Sequence, residues 1–328
     1  MTVDRQYASK VLMPGLIDPH IHPVQGSVML NLPFIAPDDW NLPTGNFPGS
    51  RTQAQWRGRF ADLLAKSDAD PFICWGYHEL FHGPLDRRDL DQMAPSRAVV
   101  VWQRSFHELI VNTATLKAWG LADEAAFNAA VVQAKVDPAH ADFGRGIFSE
   151  TALGIGLAKL RPVILAPERI RRGMALMQQM LRAHGVTTVS DMATGIFAGF
   201  DGEAAMIKAS FAGPDCFNRV MLIPVAGLLS ADVDLDKWID TARGKYSTGH
   251  VRVDRRVKLL ADGAFFAQNM QMAAPGYIDG HSGKWLTEPA VLDAQFRRFW
   301  DAGFSFHIHV NGDEGLEVVL DGLAQLFA

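Results

Sequence analysis

The sequence is poor in cysteine, has no excess of basic charge and contains no long hydrophobic run. Two cysteines in 328 residues, Cys74 and Cys216, cannot build a disulfide framework in a chain of this length. Both stand in apolar company, Phe72-Ile73-Cys74-Trp75 and Cys216-Phe217, which reads as core packing rather than chemistry. A reducing, cytoplasmic setting is the corresponding expectation. Lys+Arg number 31 against 36 Asp+Glu, a net charge of −5, and no basic stripe offers a footprint for a phosphate backbone. The longest apolar run, Val220 to Leu229, is interrupted by Pro224 and Gly227 and is too short to span a bilayer. The opening residues lack the apolar centre of a secretory leader. Neither nucleic acid nor membrane is therefore expected as a partner. Hydrophobic residues make up 48% and charged residues 20%. That composition excludes disorder, collagen-like repeats and coiled coil, and supplies a large core.

The first readable element is the apolar stretch from Val11 that ends in Asp18-Pro19-His20-Ile21-His22-Pro23. It suits a buried parallel strand stopped by Pro23. Prolines at 23, 33, 37, 43 and 48, mixed with Phe34, Trp40 and Phe47, suggest a long ordered loop or lid rather than a linker. A helix is expected over 52–66 with Thr52 as N-cap, short strands over 71–77 and 97–102, and a helix over 113–119. From about 166 the pattern turns regular. Pro167 opens a helix whose face is Ile170, Met174, Met177 and Leu181. Strands over 186–191, 219–225, 256–261 and 304–310 then alternate with helices over 201–212, 231–243, 288–302 and 313–327. This rhythm argues for βαβ units and a parallel sheet. With the strand at 17–22 it yields about five core strands, where a (β/α)8 barrel needs eight. The expectation is an incomplete barrel, truncated in appearance, with residues 24–180 inserted after the first strand as a cover over the strand ends. An unclosed sheet would make the chain prone to association, and a homodimer is one outcome.

Three short patterns carry chemistry. In His20-x-His22 the period of a strand sends both imidazoles to one side, where they can share an ion such as zinc, iron, cobalt or manganese. A second pair, His307-x-His309, closes the last strand. His309, nearer the carboxyl end, is the ligand candidate, and His307 is expected one layer deeper or both as core histidines. Lys258 sits inside the apolar strand Val257-Lys258-Leu259-Leu260-Ala261. A lysine there either snorkels from an edge or, with a lowered pKa, takes up carbon dioxide to become an anionic carbamate ligand. Asp262, at the same strand's end, either orients a ligand or caps the next turn.

The stretches VLMPGLIDPHIHP, RVKLLADGAF and FHIHVNGDEGLEVVL resemble the strand-one, strand-four and strand-five motifs of the amidohydrolase superfamily. Together with WGYHELFHG, SFHELIVNTATLKAWGL and GIFSETA they are similar to its amidohydrolase 3 branch, which contains enzymes like N-substituted formamide deformylase. The resemblance implies a (β/α)8 metal-dependent hydrolase barrel over 14–328, with residues 1–13 the remnant of a small β-sandwich. It implies one or two divalent cations, zinc foremost, held by His20, His22, a carbamylated Lys258 and His309, with Lys258 and Asp262 in catalytic roles. The family's strand-six histidine and strand-eight aspartate have no counterpart in this sequence. The implied activity is hydrolysis of a non-peptide carbon–nitrogen bond in a small amide-type substrate. The implied alternative is a catalytically incompetent relative that keeps part of the metal site. Trp75, His78, His107 and Glu150 are candidate contributions of the insertion to the pocket, or packing residues of the cover. Trp102, Phe106 and Trp119 are expected to be apolar walls for a hydrophobic substituent.

Overall fold

The computed structural model describes residues 5–213 and 216–327. Its spine is a parallel sheet in which the strand Leu16–Ile21 pairs with Val186–Thr194, which pairs with Arg219–Pro224, which pairs with Val251–Val253. A second parallel pair, Arg256–Leu260 with Ser305–His309, sets Lys258 opposite His307 and Leu260 opposite His309. The two sheets meet at one backbone bridge, Val225 to Lys258. Helices alternate with these strands, as buried βαβ units require. Among the described residues the sheets stay open and do not close into a ring.

The regular half of the chain follows its hydrophobic pattern. In the helix Pro167–Ala183 the residues Ile170, Met174, Met177 and Leu181 are buried, each one turn or two from the next. Thr52 caps the helix Gln53–Ala65 by accepting from the Gln55 amide at 3.3 Å.

Residues 24–180, expected as a cover, contain a helix of the framework and a separate sheet. The helix Pro23–Met29 packs against Pro167–Ala183 as part of the framework. The approach is close: a Cβ on Gly173 would lie 2.1 Å from the Ser27 carbonyl oxygen. Asn31 Nδ2 stitches the pair by donating to Ser27 O at 2.7 Å and Arg169 O at 2.8 Å. Beyond a small hairpin, Trp40–Leu42 with Gly45–Phe47, the chain builds a five-stranded mixed sheet. Its order is Phe72–Tyr77, Val99–Gln103, Glu108–Val111, Ile147–Ser149 and Ala141–Asp142. The first two strands are buried on both faces. One face, with Cys74, Tyr77, Val99 and Val101, packs on Trp56 and Phe60 of the helix Gln53–Ala65, while the other turns Trp75, Val100 and Trp102 to the main core. Cys74 is fully enclosed and its thiol is pushed far up by burial, which makes it a packing residue. Residues 5–13 hold turns and extended chain without a strand; residues 1–4 lie outside the described residues.

Candidate functional site

The first strand does not run straight into its histidines. Its register with Val186–Thr194 shifts between Asp18 and Ile21, so Pro19 and His20 occupy a bulge. Proline supplies no amide hydrogen to the ladder there, and a bulge re-aims the side chains it carries. His20 is held in place by its own amide, which donates to Asp18 Oδ1 at 3.0 Å. His22 lies past the strand, as the N-cap of Pro23–Met29. Simple alternation therefore understates the geometry, yet both rings reach one cavity and meet edge to face with centroids 5.3 Å apart.

That cavity has a volume of about 410 Å³, and His20, His22, Lys258, His309, His107 and Glu150 all line it. Trp102, Phe106, Phe197 and Leu260 form apolar parts of its wall. Lys258 is 3% exposed, and burial pushes its amine down to about 8. His309 is pushed down to about 4, first by burial and then by the neighbouring His107 and Lys258. Burial and Lys258 also lower His20. The two imidazoles are thus kept as lone-pair donors near neutrality, while Lys258 has an unprotonated fraction there. His307 pairs with Lys258 in register and lies outside the cavity lining.

A second layer holds the first. His107 Nδ1 lies 2.7 Å from Glu150 Oε2, Asn269 Nδ2 donates to Glu150 Oε1 at 2.8 Å, and the His107 ring stacks on His309 at 5.5 Å. Burial alone would raise the Glu150 carboxyl, but the hydrogen bonds from His107 and Asn269 hold it below the ordinary range. Asn311 Nδ2 donates to Gly263 O at 3.0 Å and sits 3.0 Å from His309 Nε2. Asp262, a catalytic candidate from the sequence, does not line the cavity. Its two oxygens accept the amides of Gln271 at 2.8 Å, Asn311 at 2.8 Å and Gly312 at 2.7 Å. These bonds fix the turn that carries Asn311. Phe106, Glu150 and Gln268, beside Asn269, have φ of +69°, +44° and +55°, a conformation that costs non-glycine residues energy and gathers at functional sites.

Other sequence candidates fall elsewhere. Trp75 is 2% exposed and stacks on Phe106 at 5.0 Å, so it backs the cavity wall without lining it. His78 packs edge to face on Phe81 and Phe266, and Trp119 packs on Phe148; neither lines the cavity. Asn269 had no signal in the sequence, because a lone asparagine in a loop marks nothing. Asn311 stands two residues after His309 and was within reach of the motif.

The donor chemistry suits a divalent cation. Four imidazoles and a depressed amine share one space, and His22 Nδ1 is buried without a hydrogen-bond partner, 3.8 Å from Asp191 Oδ1. Such an orphaned nitrogen is uncommon in a settled core. Among the described residues no three His, Cys, Asp or Glu side chains are already gathered tightly enough to hold an ion.

Fold and site together define an α/β protein with a nitrogen-donor cavity among the ends of parallel strands. The chain belongs to the amidohydrolase family, whose pattern matches residues 8–328. Among solved structures it is similar to an uncharacterized metal-dependent hydrolase from Pyrococcus horikoshii OT3, with TM-score 0.60 and 18% identity, covering 95% of this chain and 56% of that one. It is also similar to an uncharacterized metal-dependent hydrolase from Pyrococcus furiosus, with TM-score 0.55 and 20% identity, covering 96% and 58%. The chain thus spans somewhat more than half the length of these two. No curated protein matches it.

Proposed function

We propose that the protein is a metal-dependent hydrolase of a non-peptide carbon–nitrogen bond, of the amide or N-substituted formamide type, built on a barrel of the (β/α)8 kind. The observation that carries this reading is the convergence of His20, His22, Lys258 and His309 on one cavity. His20 and His22 would hold one divalent cation, zinc being the best match to imidazole donors, and His309 a second. When bound, such an ion acidifies a water and polarises a carbonyl.

The chain's own residues do the rest. The Lys258 amine, pushed down to about 8 by burial, has an unprotonated fraction at neutral pH. Its lone pair attacks the carbon of carbon dioxide, the nitrogen releases a proton, and the resulting carbamate presents anionic oxygens between the two histidine sets. Glu150 accepts from His107 Nδ1 and so fixes which ring nitrogen faces the cavity. That leaves Nε2 to meet the polar end of a small amide-type substrate. Asp262 acts through the turn that places Asn311 against His309. The walls of Trp102, Phe106 and Phe197 exclude water from the reacting bond.

The incompetent-relative reading is favoured by the absence of a ready group of three His, Cys, Asp or Glu ligands among the described residues, beside the family's strand-six histidine and strand-eight aspartate, which have no counterpart in the sequence. Titration of the chelator-treated protein with Zn²⁺, with and without bicarbonate, separates the two. The hydrolase reading expects binding strengthened by bicarbonate, loss of that effect in Lys258→Met, and turnover on a panel of amides. Bicarbonate-independent binding without turnover would establish the incompetent relative.

A further inference from the structure

A second cavity of about 280 Å³ lies directly against the first and shares His22, Gln25 and Phe106 with it. Its remaining walls come from three separate parts of the chain. The helix Pro23–Met29 gives Gly26 and Met29, the segment through the small hairpin gives Phe34, Trp40 and Leu42, and the helix Pro167–Ala183 gives Met177 and Met180. Trp75 closes the back. Phe34, Trp40 and Trp75 are already arranged edge to face around one another, with centroids 4.5 to 5.7 Å apart. Such a wall accepts one more flat ring in the same geometry. The methionines add sulfur contacts that adapt to the shape of what enters.

Phe106 divides the two cavities. Its ring stacks on Trp75 with planes 17° apart, and its backbone stands at φ +69°. That backbone is pinned, because the Trp102 indole donates to Phe106 O at 3.2 Å and the Phe106 amide donates to Gln103 O at 3.0 Å. The turn that joins Val99–Gln103 to Glu108–Val111 thus fixes Phe106 at the border of the two cavities. The small residue Gly26 points the same way. A Cβ there would lie 2.6 Å from Met177 Sδ, so glycine lets Met177 pack against the helix, and a larger side chain would push Met177 into the cavity.

We propose that this second cavity is the subsite for an aryl group of the substrate, seated between Trp40, Phe34 and Met29, with Phe106 separating it from the bond that reacts. The inference rests on the hydrolase reading only for which molecule carries the ring; occupation of the cavity by a ring stands independently of turnover. Its chemical class is accordingly an amide bearing an uncharged aromatic substituent, since the cavity wall holds no carboxylate to meet a cation.

The test uses the chelator-treated protein, so that no turnover interferes, and the probe 4-fluorophenylacetamide followed by fluorine NMR line broadening. Fluoroacetamide, which lacks the ring, is the control. The aryl probe is expected to bind about tenfold or more tightly than fluoroacetamide. Met180→Asp, which places a charge on the half-buried rim, and Gly26→Leu, which fills the space, are each expected to weaken the aryl probe about tenfold. Met180→Asp, at a residue outside the lining of the first cavity, is expected to leave binding of Zn²⁺ unchanged by calorimetry. Met180→Asp carries the test if Gly26→Leu fails to fold by circular dichroism. Equal binding of the two probes, or unchanged aryl binding in the folded variants, overturns the subsite. Ring-selective binding in a protein that turns over no amide upholds the subsite and removes the hydrolase reading.

Discussion

Glu203 is 2% exposed and accepts backbone amides from Gly195 at 2.7 Å, Phe197 at 2.5 Å and Ala198 at 3.2 Å. These bonds shape the loop whose Ile196 and Phe197 line the main cavity. Burial, and next the charge of Asp191, push its carboxyl up to about 7 against the pull of the three amides. The folded chain therefore keeps the proton to about pH 7, whereas the unfolded chain gives it up near 4.5. Between those values the folded state binds more protons, so this residue's contribution falls as pH rises, by on the order of 3 kcal/mol across the window. Glu203→Gln removes the titration. In urea unfolding at pH 5 and pH 8 the wild type is expected to lose stability relative to the variant; parallel behaviour of the two would show that the carboxyl ionises normally. The same scale explains what could be read beforehand. His20, His22, Lys258 and His309 were legible because each is an unusual residue in an apolar strand context. Which cavity Trp75 faces was not legible, because burial in a sheet with two covered faces looks the same in sequence whichever face a side chain takes; it lies outside the first cavity's lining and in that of the second.

At the scale of elements, the regular alternation after residue 166 was legible because long helices repeat their apolar face over several turns, as Ile170, Met174, Met177 and Leu181 do. The mixed sheet within 24–180 was largely hidden. Glu108–Val111 and Ile147–Ser149 are four and three residues long, too short for periodicity to separate them from loop. The helix Pro23–Met29 was hidden by the prolines around it, although proline at a first helical position is favourable. Its contact with Pro167–Ala183 depends on Gly173, where even a methyl group would strike the Ser27 carbonyl. Gly173→Ala is expected to lower stability by about 1–3 kcal/mol through forced separation of the helices. Gly58→Ala, in a helix and with nothing within 4 Å of the added carbon, is expected to raise it by roughly 0.5–1 kcal/mol. Thermal unfolding of the pair checks this, and equal shifts would remove the close-approach argument.

Over the whole molecule, the outer edge of the parallel sheet is the Leu16–Ile21 strand, with Leu16 at 49% and Ile17 at 69% exposure. Leu12 and Met13 continue the apolar run at 74% and 69%. An unpaired, apolar strand edge is a template for association. Light scattering is expected to show concentration-dependent self-association that Ile17→Lys reduces severalfold; a monodisperse monomer in both proteins would show that the edge is inert. The last helix of the chain keeps part of its apolar face covered. On the helix Asp313–Leu326, Val319 is buried and Val318 and Leu323 are half-buried, while Leu316 and Leu320 are the exposed apolar residues.

The joint between the two parallel sheets falls on Lys258 itself. His20 and His22 are carried by one sheet and the helix that follows its edge strand, His309 by the other, so the cavity straddles a seam. A sliding of one sheet past its neighbour would change the spacing of the imidazoles before it changed anything else in the cavity. The lysine at the seam is the fulcrum of that movement. A group that ties Lys258 to both histidine sets would act as a rivet, converting occupancy of the cavity into rigidity of the whole parallel array.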